Sequence, residues 1–227
     1  MKPPEVFCLH SLKGVSLDTA MHYTKKFLTV FGIVFTTLVS IAIVHSRPVY
    51  AANFDGVVSA SGTKVTALTV DLVPGGIDKL YIATIANYQN KSVTTVSGMG
   101  LIWARQKAQC SARNTNGIEI WTAYGSTLLG SVTVQFSAET LSAVLTVAAY
   151  TDASLLTPIE SASGQNTLGI NGFCTGGTDN NLAQLTLNAL SSNTILYTAS
   201  STRGKTITGA DLDYTQRVQT AVGTSGS

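Results

Sequence analysis

Histidine is missing from most of this chain: His10, His22 and His45 are the only three, and none follows them. From Ala52 onward that absence excludes Ser-His-Asp and Cys-His catalysis, imidazole general bases, and nearly every zinc or copper site. Charge is scarce as well, at 11% of residues. After Ala52 nine basic residues are scattered among ten acidic ones, so the net charge of +2 originates in the segment before it. Without a clustered basic patch, no nucleic-acid partner is expected. No helical periodicity of useful length appears in this part of the chain, and no cofactor is expected.

What is present begins with a segment unlike the rest. Lys25 and Lys26 precede an apolar stretch from Phe27 to Val44, followed by His45-Ser46-Arg47-Pro48 and then Val49-Tyr50-Ala51-Ala52. A charged region, an apolar run and a small-x-small cleavage site, in that order, define a secretory signal peptide. Pro48 ends the apolar helix and leaves the site extended, which places the cut after Ala51. The alternative is an uncleaved anchor, since the run is near the roughly 18-residue minimum for spanning a bilayer. Both readings put the remaining domain outside the cytoplasm, secreted or at the cell surface, and membrane contact is expected only through an uncleaved segment. Residues 1–20 read as a start-site extension, with Met21 the natural start of a segment 21–51.

Residues 52–227 are long enough for one buried core and are rich in Ser, Thr, Ala, Val, Gly and Asn. Alternating runs separated by turn clusters predict strands over Val65–Leu72, Leu80–Ala86, Ser92–Val96, Leu101–Gln106, Ile118–Tyr124, Val132–Phe136 and Leu141–Tyr150. Three more are expected at Leu185–Leu187, Thr194–Ala199 and Tyr214–Gln219. The expectation is an all-β, two-sheet antiparallel sandwich. A faint internal repeat accompanies it: Ala67–Asp71 is similar to Gln184–Asn188, Lys79–Thr84 to Thr194–Ser200, and Lys91–Thr94 to Lys205–Thr208. The second copy lacks counterparts of the three strands from Ile118 to Tyr150, so the domain is expected to be truncated at its C-terminus.

Val73-Pro74-Gly75-Gly76, the strand Gly100-x-x-Trp103, and Ile120-Trp121-x-Ala123-Tyr124 resemble a module of large extracellular proteins of bacteria, archaea and phages. Ala148-Ala149-Tyr150-Thr151 followed by Thr157-Pro158-Ile159 resembles the middle of that module. The resemblance runs from about Gly56 to the C-terminus. It implies a jelly-roll-like or immunoglobulin-like sandwich with a structural, adhesive or carbohydrate-contacting role. These are packing motifs and carry the fold rather than an activity.

Candidate sites are few. Glu119 and Trp121 share one face of a strand, where a carboxylate beside an indole suits a sugar ring; the competing reading is that Trp121 packs against neighbouring strands. Trp103, Tyr124, Tyr150 and Tyr197 read as core or sheet-edge residues. Glycoside hydrolysis needs two carboxylates flanking a bond; Glu119, Glu139 and Glu160 stand in no such context, and no enzymatic activity is expected. Asp179-Asn180-Asn181, Asp211 and Asp213 offer hard oxygens but read as solvated turns, so no metal site is expected. Asn90-Lys91-Ser92 is a glycosylation sequon. Once Cys8 is removed, Cys110 and Cys174 are left as an even pair in an oxidising compartment and are expected to bridge. The role that follows is a non-catalytic, structural or adhesive surface module, with a carbohydrate-binding module using Trp121 as the alternative. Its partners would be surface polysaccharide or other copies of surface proteins.

Overall fold

The computed structural model describes residues 52–111, 115–154, 157–166, 186–188, 194–202 and 215–222. All lie in the compact unit Val49–Ser227. The described residues are all-β, without a helix. The strands are β1 (Asn53–Val73), β2 (Gly76–Tyr88), β3 (Val93–Gly98), β4 (Ala104–Cys110), β5 (Asn116–Thr127) and β6 (Gly130–Thr151). They form one antiparallel sheet in the order β1-β6-β2-β5-β4, with β3 also on β6.

One sheet rather than two follows from β1 and β6. The pair runs from Asn53↔Thr151 to Val73↔Gly130 within one sheet, through register shifts at Phe54/Gly56, Val65/Ala67 and Val70/Val73. The two runs expected at Val132–Phe136 and Leu141–Tyr150 are one strand of 22 residues. Its other edge is shared: Ser142–Tyr150 take β2 and Val132–Phe136 take β3. Between them the ribbon bends. β1 advances two residues, from Val65 to Ala67, while β6 moves from Thr140 to Gln135, leaving residues 136–139 without a β1 partner. Unequal spacing of this kind bends and twists a strand. Thr140 is fully buried there, and its hydroxyl donates to the carbonyls of Tyr88 and Ser142, tying the bend to the end of β2.

The bend brings the two ends of β1 together. A Cβ on Gly56 would lie 3.2 Å from the Pro74 ring. Lys79 Nζ, at the start of β2, reaches back to Asp55 Oδ2 at 2.7 Å and also donates to the Gly75 carbonyl. Gly76 has φ +158°, and a Cβ there would occupy the path of the Lys79 stem. The expected Pro74-Gly75-Gly76 turn therefore has a second use, since it lets a buried lysine reach its partner.

One hydrophobic cluster takes residues from both halves of β6. Val132, Val134 and Phe136 pack with Leu145, Val147, Tyr81, Ile85 and Trp103. Removing each large side chain of this set from water stabilises the fold by about 1.5–3 kcal/mol. The opposite face of β2 and β6 carries a second cluster, Leu80, Ile82, Ala148 and Tyr150, against which Phe54, Ile159, Ile195 and Tyr197 pack.

Several strand boundaries differ from expectation. β1 begins twelve residues before Val65, because Gly56, Gly62 and the Ser and Ala residues between them blur its alternation. Leu101–Trp103 are loop rather than strand; Trp103 turns inward from that loop and its Nε1 donates to Gly98 O at 3.4 Å. The expected strand Thr194–Ala199 is described but forms no ladder. Its period-two alternation is nevertheless real, with 195, 197 and 199 half-buried and their neighbours exposed. The segment lies on the sheet face through Ile195 and Tyr197 instead of pairing at an edge. Thr186–Asn188 and Thr215–Gln219 are likewise outside any ladder, so the described members of the second repeat copy do not reproduce the strands of the first. Leu185, Tyr214 and Lys205–Thr208 lie outside the described residues.

Candidate functional site

Glu119 and Trp121 do come together, as partners of each other. β5 presents both on the face that carries the main core, opposite Ile118 and Ile120. Glu119 is buried, and each of its carboxylate oxygens has a donor. Oε1 accepts from the backbone N–H of Val93 at 2.9 Å, and Oε2 accepts from Trp121 Nε1 at 2.9 Å. The Val93 bond fixes the first residue of β3 to β5, across a gap that no ladder bridges. Arg105, on β4, places its guanidinium 3.8 Å from Oε2 and 6.0 Å from the Trp121 ring centroid. A carboxylate paired in this way serves as an internal fastener, and the indole N–H is already used.

Trp121 is half-buried against the core, so part of its ring faces outward beside Arg105. Arg105 therefore stands beside the indole while the Glu119 carboxylate is already engaged. Glu139 lies exposed at the bend, and Glu160 lies in the segment after β6. Neither is among the groups that engage Glu119. Among the described residues no cluster of three or more His, Cys, Asp or Glu side chains could hold a metal. Asp179, Asn180, Asn181, Asp211 and Asp213 lie outside the described residues.

Two other polar arrangements were not expected from the sequence. Asn87, buried at the end of β2, donates from Nδ2 to Lys91 O at 3.0 Å and accepts from Lys91 N–H at 2.7 Å, closing the β2–β3 turn. In that turn Gln89 and Asn90 have positive φ of 83° and 46°. Asn90, the sequon residue, is half-buried with its amide oxygen against Gly117. On the outer face Tyr197 shares a 2.7 Å hydrogen bond with Thr84 Oγ1 and packs edge-on against Tyr150. Burial holds the Tyr197 phenol above its ordinary value of 10.0, with the Thr84 bond opposing. Burial, and next the neighbouring Tyr197, raise Tyr150. Tyr81 and Tyr124 are raised by burial and then by Asp55 and Asp78 respectively.

Cys110 closes β4 opposite Gly117. Asn166 Nδ2 donates to its carbonyl at 3.1 Å, so the chain leading toward Cys174 passes beside it. Cys174 itself lies outside the described residues.

One open hollow is lined by Gly75, Gly76, Ile77, Ser126, Thr127, Leu128 and Leu129. None of these side chains titrates, and the hollow offers backbone and aliphatic carbon rather than acid or base. Against protein-family models, curated proteins and solved structures, the chain has no match.

Proposed function

We propose that this chain is a non-catalytic structural or adhesive module that acts outside the cytoplasm. The observation that carries the reading is that four buried polar side chains of the sheet are spent on the sheet itself, while the Tyr124 hydroxyl alone among the buried side-chain polar atoms of the described residues lacks a partner. Glu119 fastens β3 to β5, Asn87 closes a turn, Thr140 ties the bend, and Lys79 clasps Asp55. A buried carboxylate and a buried lysine are the groups a site would use, and here both are satisfied within the fold.

The fold that goes with this role is a two-layer sandwich made by doubling the β1–β6 ribbon on itself. It is supported by the contacts of Gly56 with Pro74 and of Asp55 with Lys79, and by a core shared between both halves of β6. A flat strand of 22 residues would measure about 70 Å at roughly 3.3 Å per residue. Small-angle scattering of the chain from Ala52 should give a body whose strand-direction length is near half that value. A particle as long as the flat strand would rule the sandwich out.

The export reading rests on the segment before Ala52, and N-terminal sequencing of protein recovered from the medium or cell surface should begin at Ala52 or Asn53. The competing carbohydrate-binding role would use the outward part of Trp121 with Arg105. Tryptophan fluorescence titrated with a set of polysaccharides should show no saturable change. Saturable quenching that disappears in Trp121→Ala would replace the structural role with the carbohydrate-binding one.

A further inference from the structure

Five large aliphatic side chains stand out at the end of the sheet that holds the β1–β2 and β5–β6 turns. Leu72 is 68% exposed, Ile77 80%, Ile102 90%, Leu128 85% and Leu129 61%. Ladder pairs join the two turns, Gly76 with Thr127 and Val73 with Gly130. The β3–β4 loop is held to the same place: Thr127 Oγ1 donates to Met99 O at 2.8 Å, and a Cβ on Gly125 would lie 2.8 Å from Leu101 Cδ2. Leu101 and Trp103 both pack into the main core, so Ile102 between them stands out as a knob. The same pole carries the open hollow, lined by Ile77, Leu128 and Leu129 and by the backbone of Gly75 and Gly76. A Cβ on Gly75 would strike main-chain atoms of residues 127–129, so bare backbone is built into this hollow. Single exposed leucines are ordinary, but five at one pole on strand-backed turns mark a contact surface.

We propose that this pole is the self-contact of a two-fold dimer, in which Ile102 of each copy enters the hollow of the other. Area is the first support. A large aliphatic side chain carries about 120 Å² of apolar surface at the upper end of the transfer scale, so the five tips present roughly 450 Å² at these exposures. A standard interface buries about 800 Å² on each partner, and about 65% of it is apolar in homodimers, or roughly 520 Å². The tips alone supply most of that. Composition is the second support. Neither the five tips nor the lining of the hollow includes an aromatic or cationic side chain. Contacts with unlike partners draw their affinity from Trp, Tyr and Arg, and bilayer interfaces recruit aromatics and cations too. Bare aliphatic carbon is the make-up of a divided core, which is what like-with-like interfaces resemble.

Shape sets the symmetry. Knob and hollow lie on one pole, so a reciprocal contact satisfies both copies at once and the assembly closes at two. A hollow at the opposite end would instead have propagated the contact into a filament. Charge sets the response to salt. Lys79 is buried and paired with Asp55, whereas Asp71 and Asp78 are exposed next to Leu72 and Ile77. A two-fold axis brings the acids of both copies onto one interface. Salt screens exposed charges, so the dimer should tighten as ionic strength rises, while a basic partner would be released.

Sedimentation of the full chain over a range of concentrations tests this, and the parent should reach twice the monomer mass. Ile102→Lys and, separately, Leu128→Asp should each weaken the dimer at least about tenfold. Both positions are exposed, so circular dichroism of each variant should match the parent. Mixed in equal parts, the two variants should dimerise again. That pair keeps one native knob and hollow and sets lysine against aspartate at the other. Glu139→Arg, at the exposed bend, should dimerise as the parent does. A parent that stays monomeric would overturn the proposal, and phosphatidylcholine vesicles bound by that monomer but not by Ile102→Lys would give the pole to lipid. A dimer that both variants retain is held elsewhere and would also overturn it. So would two variants that remain monomeric when mixed.

Discussion

Replacing Glu119 by alanine would leave two donors without their acceptor, the buried Val93 N–H and the half-buried Trp121 indole. Each buried unsatisfied donor costs about 1–3 kcal/mol, so Glu119→Ala should lose roughly 2–5 kcal/mol in urea unfolding. Glu119→Gln keeps one acceptor and should lose less. A loss under about 0.5 kcal/mol for the alanine variant, typical of a surface change, would mean the carboxylate does not fasten β3. Seen from the sequence, Glu119 and Trp121 announced themselves correctly as neighbours on one face. Their shared bond was not legible, because alternation says which face a side chain takes and nothing about what closes over it. Asn87 and Thr140 gave no signal at all: a buried Asn or Thr is spelled like an exposed one, and only the turn or bend beside it explains its burial. Cys110 is a further case at this scale. With Asn166 beside it, a bridge to Cys174 would stabilise by about 4 kcal/mol on the loop-entropy account, and non-reducing peptide mapping should recover the two cysteines joined. Two alkylatable thiols in the native protein would end that expectation.

Among the elements, the bend in the β1–β6 ribbon and the pairing of β3 with β6 govern the shape. Gly98 ends β3 with φ +137°, and a Cβ there would run into the Ser131 carbonyl. Gly98→Ala should therefore cost more than the roughly 1 kcal/mol that an ordinary glycine replacement moves, as a lowered urea midpoint at unchanged slope. A midpoint equal to that of the parent would show the backbone at the end of this ladder to be free to relax. β2, β3 and β5 were readable from apolar alternation because each sets a row of side chains into the main core. β6 was read as two strands since Ser137, Ala138 and Glu139 look like a turn; the physical event there is a change of partner within one strand. The segment Thr194–Ala199 shows the opposite failure. Its alternation reports one face resting on Tyr150 and Thr84, and a pattern of period two follows from that contact alone, without a ladder.

At the level of the molecule, four tyrosines held above the ordinary phenol value link folding to alkaline pH. Tyr81, Tyr124, Tyr150 and Tyr197 keep their protons in the fold at a pH where the unfolded chain has begun to release its own at 10.0. The folded state then binds more protons than the unfolded one, so stability falls as pH rises. The contribution is fully present below about pH 10 and is lost as the pH climbs through the raised values. Absorbance at the phenolate band should show a late-titrating group of tyrosines, with urea midpoints falling over the same range. Ionisation of every tyrosine at the ordinary value, with midpoints unchanged, would contradict it.

The pairing of Asn53 with Thr151 also determines when this protein can fold. Of the described strands, β1 is the first to leave a ribosome or a translocation pore and its ladder partner β6 is the last, with the other four in between. Non-local pairing of that kind is slow, because the loop must close before any contact rewards it. Until Thr151 has emerged, β1 is an unpaired strand of 21 residues, ten of them apolar and five serine or threonine. Waiting in water with that composition leaves an apolar, unpaired edge open to pairing with another chain. A chain cut before Gly130 should stay unfolded by circular dichroism however well its central hairpin is preserved, and refolding of the intact chain should be limited by the closure of β1 onto β6.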